Sequence, residues 1–226
     1  MGLLSAELPA TAAPADQTTA ALAPCVDAAK RSGAAAWTCT AAGLTVEVDG
    51  VRAFTPIAPA VPARVEEARV LDDYDGWCEN GSVCHRVIND YIAETKGNAA
   101  YGNQEGVIGT FDVVLRTVLN GRQAQWRVAL IRDSGPLLQF TSVQVTCWEE
   151  VNLLPDNSCG VHGAGAPTVQ GRWDSNTLYG NKLASSNEYY GAVNGEFTPA
   201  GHPGFTMGTL EGEYFNCYGE DNCYYA

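Results

Sequence analysis

The chain has 226 residues, 46% of them hydrophobic, enough for one β-rich domain with a sizeable buried core and some appendages. Its formal net charge of −13 repels nucleic acid and anionic membrane surfaces and leaves a cationic protein or a neutral glycan as the compatible partner. No stretch has the length of an apolar membrane span, so no membrane insertion is expected.

Eight cysteines, Cys25, Cys39, Cys78, Cys84, Cys147, Cys159, Cys217 and Cys223, contain no C-x-x-C pair of the kind that holds zinc or does redox work. An even number without metal spacing reads as a disulfide framework and places the protein in an oxidising compartment, secreted and extracellular. Pairing of sequence neighbours is the simplest of many connectivities. No metal or cofactor is expected.

Residues 1–24 are rich in Ala, Thr and Pro and read as a flexible tail, because they lack the large apolar side chains that offset ordering entropy. The first residues, from Met1 to Ala6, lack the basic head and apolar run of a complete signal peptide, while Ala-x-Ala-like sites occur between Ala10 and Ala15. The start reads as a truncated signal remnant. Residues 25–54 form a small disulfide-stapled unit, with a short helical piece between Cys25 and Cys39 and a hairpin over 44–54 turning at Asp49-Gly50.

Residues 55–70 are a Pro-rich extended linker. Pro56, Pro59 and Pro62 enforce extended geometry, and Ile57 and Val61 are spaced as apolar anchors for a partner's groove; a plain spacer is the alternative. The main β-rich domain is expected over 71–226. Its acidic opening, Asp72-Asp73-Tyr74-Asp75, fails the EF-hand template: with Gly76 at the glycine position, Leu71 stands where the first Asp belongs and Ser82 where the last Glu belongs.

Val83, Val87, Ile88, Tyr91 and Ile92 recur at helical spacing, with Ser82 as N-cap and Gly97 as stop, so one amphipathic helix is predicted here. From 106 to 149 three strands are predicted. Phe111, Val113, Leu115 and Leu119 share one face of the first, and Asn120-Gly121 turns it into a second with Trp126, Val128 and Leu130 inward. After Asp133-Ser134-Gly135-Pro136 a third carries Leu138 and Phe140, then Val143, Val145 and Cys147. That slip of parity near Thr141 and Ser142 calls for a bulge. The expected fold is mainly β: an antiparallel, sandwich-like meander with one amphipathic helix, stapled by disulfides. Beyond it, 152–166 reads as a disulfide-closed loop and 171–226 as short aromatic-rich strands that either finish the core or line a recognition surface.

No catalytic constellation emerges. Asp133-Ser134-Gly135-Pro136 is a fragment of the sequence around the nucleophile of chymotrypsin-like proteases, but Arg132 replaces the preceding Gly, the second Gly is missing, and His85 lies on a predicted helix; a turn explains the motif. His162 and His202 lack paired ligand spacing. Glu149 with Glu150, or Glu211 with Glu213, would be carboxylate pairs for glycoside hydrolysis, yet nothing selects one.

The stretch from Leu71 through Trp77-Cys78, Cys84 and Asp90-Tyr91 to Asn103, together with the three strands and the closing Glu213-Tyr214-Phe215-Asn216-Cys217 and Cys223-Tyr224, resembles small secreted actinobacterial cysteine-rich proteins. Among these are the adaptor subunits of umbrella toxin particles. The resemblance implies a secreted, non-enzymatic β domain that joins other protein subunits, one of them cationic or repeat-bearing. A glycan-binding module and a secreted hydrolase are the competing readings.

Overall fold

A computed structural model describes residues 16–34, 36–40, 43–48, 51–56, 76–79, 83–151, 155–165, 168–184, 186–219 and 222–225. One helix, α1 (Asp16–Ser32), precedes β1 (Ala36–Thr40), β2 (Gly43–Val48), β3 (Val51–Pro56), β4 (Trp77–Glu79), β5 (Val83–Asn89) and β6 (Ile92–Asn103). Then come β7 (Gly106–Asn120), β8 (Gln123–Arg132), β9 (Leu138–Glu149), β10 (Asn157–Ala164), β11 (Thr168–Val169) and β12 (Arg172–Asp174). The chain closes with β13 (Leu178–Lys182), β14 (Glu188–Pro199), β15 (Phe205–Glu211), β16 (Phe215–Tyr218) and β17 (Asn222–Tyr224).

Among the described residues these strands make two antiparallel sheets. Sheet I has ten strands in the order β12-β8-β7-β6-β1-β2-β3, with β13 also on β8, β5 also on β6, and β4 on β5. Sheet II has seven, in the order β10-β9-β14-β16-β17, with β11 also on β9 and β15 also on β14. Phe111, Val113, Leu115, Trp126, Val128 and Leu130 of sheet I belong to one buried cluster with Leu138, Val143, Val145, Val193, Phe197 and Phe215 of sheet II. Each such side chain contributes about 1.5–3 kcal/mol of burial, so this shared layer is the main adhesive between the sheets.

The mainly β class and the sandwich are therefore as the sequence predicts, and several placements are not. The residues read as a helix over 83–97 form β5 and β6, joined at Asn89–Ile92. Val87, Ile88 and Tyr91 are exposed, while Ala93, Thr95 and Ala99 are buried in alternation. Small residues carry the inward face of β6, so its period of two is invisible to a reading based on large apolar side chains. At Gly97 the space is filled from the facing sheet: a Cβ there would stand 2.6 Å from Leu210 Cδ1.

The hairpin of β7 and β8 forms as expected, with Asn120 paired to Gln123 and Gly121 at φ 60°. The third strand does not extend this meander. After the turn at 133–137, β9 crosses to the facing sheet and pairs with β14, β10 and β11, which lets Leu138, Val143 and Val145 pack face to face against Phe111, Val113 and Leu115. The bulge is where the parity slip puts it: Glu196 pairs with Ser142 and Phe197 with Phe140, leaving Thr141 as the extra residue. The expected disulfide loop over 152–166 is largely strand, as β10.

The one helix among the described residues lies inside what reads as tail and stapled unit. In α1, Leu22, Cys25, Val26 and Ala29 are buried together with Trp37, Cys39, Leu44 and Ala100. That spacing is one helical face. Lys30 and Arg31 sit in its last turn, where cations suit the helix dipole, and Gly33 at φ 67° ends it. Pro24 lies within the helix and removes one backbone donor, a cost offset by burial and by the adjoining Cys25–Cys39 bond. Residues 25–54 are likewise continuous with the main domain, because Cys39 of β1 pairs with Ala100 of β6 and Thr38 with Tyr101. A boundary near residue 70 therefore does not isolate a self-contained core.

All eight cysteines are bonded, Cys25 to Cys39, Cys78 to Cys84, Cys147 to Cys159 and Cys217 to Cys223. Each bond joins sequence neighbours, and none bridges sheet I to sheet II.

Candidate binding groove on the second sheet

Because Val143, Val145 and Cys147 of β9 point into the sandwich, the alternate residues Ser142, Gln144, Thr146 and Trp148 point out of it. The register places Trp148 beside Tyr190, Thr146 beside Ala192, Gln144 beside Asn194 and Ser142 beside Glu196. On the far side of β14, Ala192 is next to Glu211 and Glu196 next to Thr206. Side chains paired this way stand about 5 Å apart, and six residues of strand span about 20 Å. The outcome is a polar strip with two aromatics at one end and hydroxyls at the other.

Thr45 of β2 and Ala53 of β3 line the strip from the other sheet, and the open groove has a volume of about 760 Å³. The small side chain of Ala192 keeps its floor low, and Gly195 and Gly208 also line it. Tyr190 is held rigidly: its hydroxyl donates to Asp156 Oδ2 at 2.9 Å, and its ring lies 4.6 Å from that of Tyr214. Burial raises the Tyr190 phenol above its ordinary range, reinforced by that hydrogen bond and by Glu211. Tyr214 is pushed up to about 12 by burial and then by Glu211, Glu150, Asp156 and Glu188.

The two outer faces differ in charge. No strand of sheet II contains Lys or Arg, whereas Glu188, Glu196 and Glu211 lie on its outer face. Among the described residues the outer face of sheet I carries Arg86, Lys96, Arg116, Arg127, Arg172 and, opposite Gln123, Lys182, against the carboxylates Glu94, Asp112 and Asp174. Glu94 pairs with Arg86 and lies 3.7 Å from Arg116; Lys96 meets Asp112 at 3.0 Å and Arg172 meets Asp174 at 2.7 Å. Cross-strand neighbours Arg116 and Arg127 complete a row of guanidinium groups.

Sequence-singled residues fall elsewhere. Ser134 Oγ bonds the Thr110 amide at 3.1 Å and the Thr110 hydroxyl at 2.9 Å, closing a turn. His85 is 8% exposed on β5, with Nδ1 at 3.2 Å from both Thr95 Oγ1 and Glu213 Oε2 and its ring stacked on Trp77. Thr95 pairs with Leu115, five residues along β7 from Thr110, so Ser134 and His85 stand about 17 Å apart in register alone. They form no dyad. His162 stacks on Trp126, and burial lowers its pKa. Of the carboxylates, Glu149 accepts from Asn187 and Tyr189, and Glu213 faces His85. Glu211, which lines the groove, is the one acid of those pairs that meets the candidate site.

Among the expected partner-binding residues, Pro56 closes β3 opposite Gly43. Ile57, Pro59, Val61 and Pro62, and the acidic run from Asp72 to Asp75, lie outside the described residues. The C-terminal aromatics divide: Tyr189, Phe197, Phe205, Phe215 and Tyr225 finish the core, while Tyr179, Tyr218 and Tyr224 are exposed.

The groove was missed by sequence reading because its residues lie on separate strands and become neighbours only through the pairing of β9, β14 and β15. Outward polar alternation on β9, Ser-x-Gln-x-Thr-x-Trp, was the available signal. Comparison with protein families, curated proteins and solved structures returned no match.

Proposed function

We propose that the protein is a secreted, non-enzymatic adaptor that joins two other protein subunits of an extracellular complex, of the toxin-particle kind its sequence resembles. The observation that supports this reading is the unlike charge of the two outer sheet faces. A sandwich presenting a cation-rich face and a carboxylate-only face can hold two partners of opposite sign without their competing, and complementary charge speeds and orders such encounters. Four disulfides suit an oxidising, extracellular setting.

The test is purification of the tagged protein from the medium of its native secreting cells, followed by mass photometry and identification of its companions. Two distinct protein partners are expected. Arg116→Glu with Arg127→Glu should release the more acidic one and leave the other bound. A protein recovered only as a 24.0 kDa species, or one whose companions ignore the charge reversal, overturns the reading.

A further inference from the structure

We infer that the groove on sheet II is a binding site for a neutral oligosaccharide, a site independent of the adaptor reading. Three features of its lining select this ligand. First, Trp148 and Tyr190 stand side by side at one end, and Tyr190 is locked by Asp156 and Tyr214. Sugar rings present apolar C–H faces that pack on aromatic planes, and a preordered aromatic loses little entropy on binding. Second, the rows beyond them carry the amides Gln144 and Asn194 next to each other, then Ser142 and Glu196. Such groups donate to and accept from the adjacent hydroxyls that a sugar offers along its edge. Third, the volume of about 760 Å³ falls within the range of ligand sites, about 300–1,000 Å³, and the small side chain of Ala192 leaves room beside the aromatic end.

The alternatives fit less well. An extended peptide binds a sheet by adding to a free strand edge, but β14 runs between β9 on one side and β15 and β16 on the other, so no backbone edge opens into the floor of the groove. An acidic or sulfated glycan would need cations, and the strands of sheet II have no Lys or Arg. A flat apolar partner is disfavoured by the Gln, Asn, Ser and Thr side chains. What remains is an uncharged chain of hydroxyls with apolar ring faces.

The experiment is calorimetric titration of the full chain with a panel of neutral oligosaccharides of glucose, mannose, galactose and N-acetylglucosamine, with uronic-acid and sulfated oligomers alongside. At least one neutral oligomer should bind. Trp148→Ala should weaken it tenfold or more and Gln144→Ala severalfold, while Tyr218→Ala, on an exposed aromatic outside the groove, should leave it unchanged. Gln144→Ala changes one exposed side chain, so a retained melting temperature shows that its loss of binding is local even if Trp148→Ala misfolds. The inference is overturned by a panel with no neutral binder, by tighter binding of the charged oligomers, or by binding that survives both groove variants. None of these outcomes bears on whether the protein captures two subunits, which the charge reversal on sheet I tests separately.

Discussion

Sheet I and sheet II share one core and the same kind of staple, yet their outer faces have little in common. On sheet I the outer face is a lattice of ion pairs, in which Arg86, Glu94 and Arg116 lie in one cross-strand row. On sheet II it is a groove of aromatics, amides and hydroxyls, with carboxylates and no cation on its strands. Inner faces are constrained by packing at near-crystalline density, so both converge on Val, Leu, Phe and Tyr; outer faces carry no such constraint. The contrast between them is what both proposals rest on.

If the sandwich is held by its shared layer alone, breaking one contact there should cost more than breaking any staple. Trp126 of β8 is the place to do it. The ring is 1% exposed and reaches across to sheet II, where a Cβ on Gly191 would stand 2.5 Å from its Nε1; on the neighbouring strand β13 of its own sheet, a Cβ on Gly180 would stand 2.7 Å from Cζ3. Two glycines thus make room for one indole. Trp126→Ala should lose about 3–5 kcal/mol in urea unfolding, with both sheets still lost in one transition. Separate transitions would mean that the sheets are independent units and the comparison is one of two domains.

Next in size is the staple that fastens α1 to sheet I. Cys25–Cys39 closes a loop with a sequence separation of 14, against 6 for Cys78–Cys84. Loop-closure entropy makes the first worth about 3 kcal/mol and the second about 2. Replacing Cys25 and Cys39 by Ser should therefore lower the urea midpoint more than the same change at Cys78 and Cys84, and should open the Lys30-Arg31 bond to trypsin. Equal midpoints would show that α1 is held by Leu22, Val26 and Ala29 without help from the bond.

How much of this was legible in the chain follows the same division. The inner faces of β7 and β8 could be read directly, because large side chains alternate on them and Asn120-Gly121 marks the turn. The bulge at Thr141 could be read from parity alone. What could not be read was the partner of each strand: nothing local distinguishes a β9 that pairs with β8 from one that crosses over to face it, since both bury Val143 and Val145. The first half of β6 was read as the end of a helix because its inward residues, Ala93, Thr95 and Gly97, are small, and at Gly97 the space is taken by Leu210 on a strand more than a hundred residues later. For α1, a helical piece after Cys25 was legible, but up to residue 24 the Ala-, Thr- and Pro-rich composition argued against order that tertiary burial supplies. The groove depended on all three pairings of β9, β14 and β15, so it stayed hidden although Trp148 and Glu211 were in plain view.

The smallest expected effect sharpens the charge contrast, because titration should act with opposite sign on the two sheets. On sheet I, the hydrogen bond from Arg172 holds the Asp174 carboxyl below its usual 3.8. A depressed carboxylate contributes stability above its unfolded value, and that contribution fades as pH falls through the folded value. On sheet II, Glu188 is raised above 4.5, first by burial and then by the Glu150 carboxyl that shares a hydrogen bond with it, with Glu213 adding repulsion. Here the fold favours the protonated form, so stability is full below about pH 4.5 and declines as pH rises through the raised value. At pH 7, Glu188→Gln replaces a repelled carboxylate by a neutral amide that still donates to Glu150. It should raise the melting temperature by about 1 °C, the scale of exposed charge effects in a chain of this size, and lose that advantage at pH 4. Asp174→Asn should lower the melting temperature at pH 7 by a similar amount and likewise become silent in acid. Scanning calorimetry of both variants at pH 7 and pH 4 decides the matter: two shifts of the same sign at pH 7, or a Glu188→Gln gain that persists at pH 4, would mean that the carboxylates of sheet II do not repel one another and that the face is not the acidic surface its composition describes.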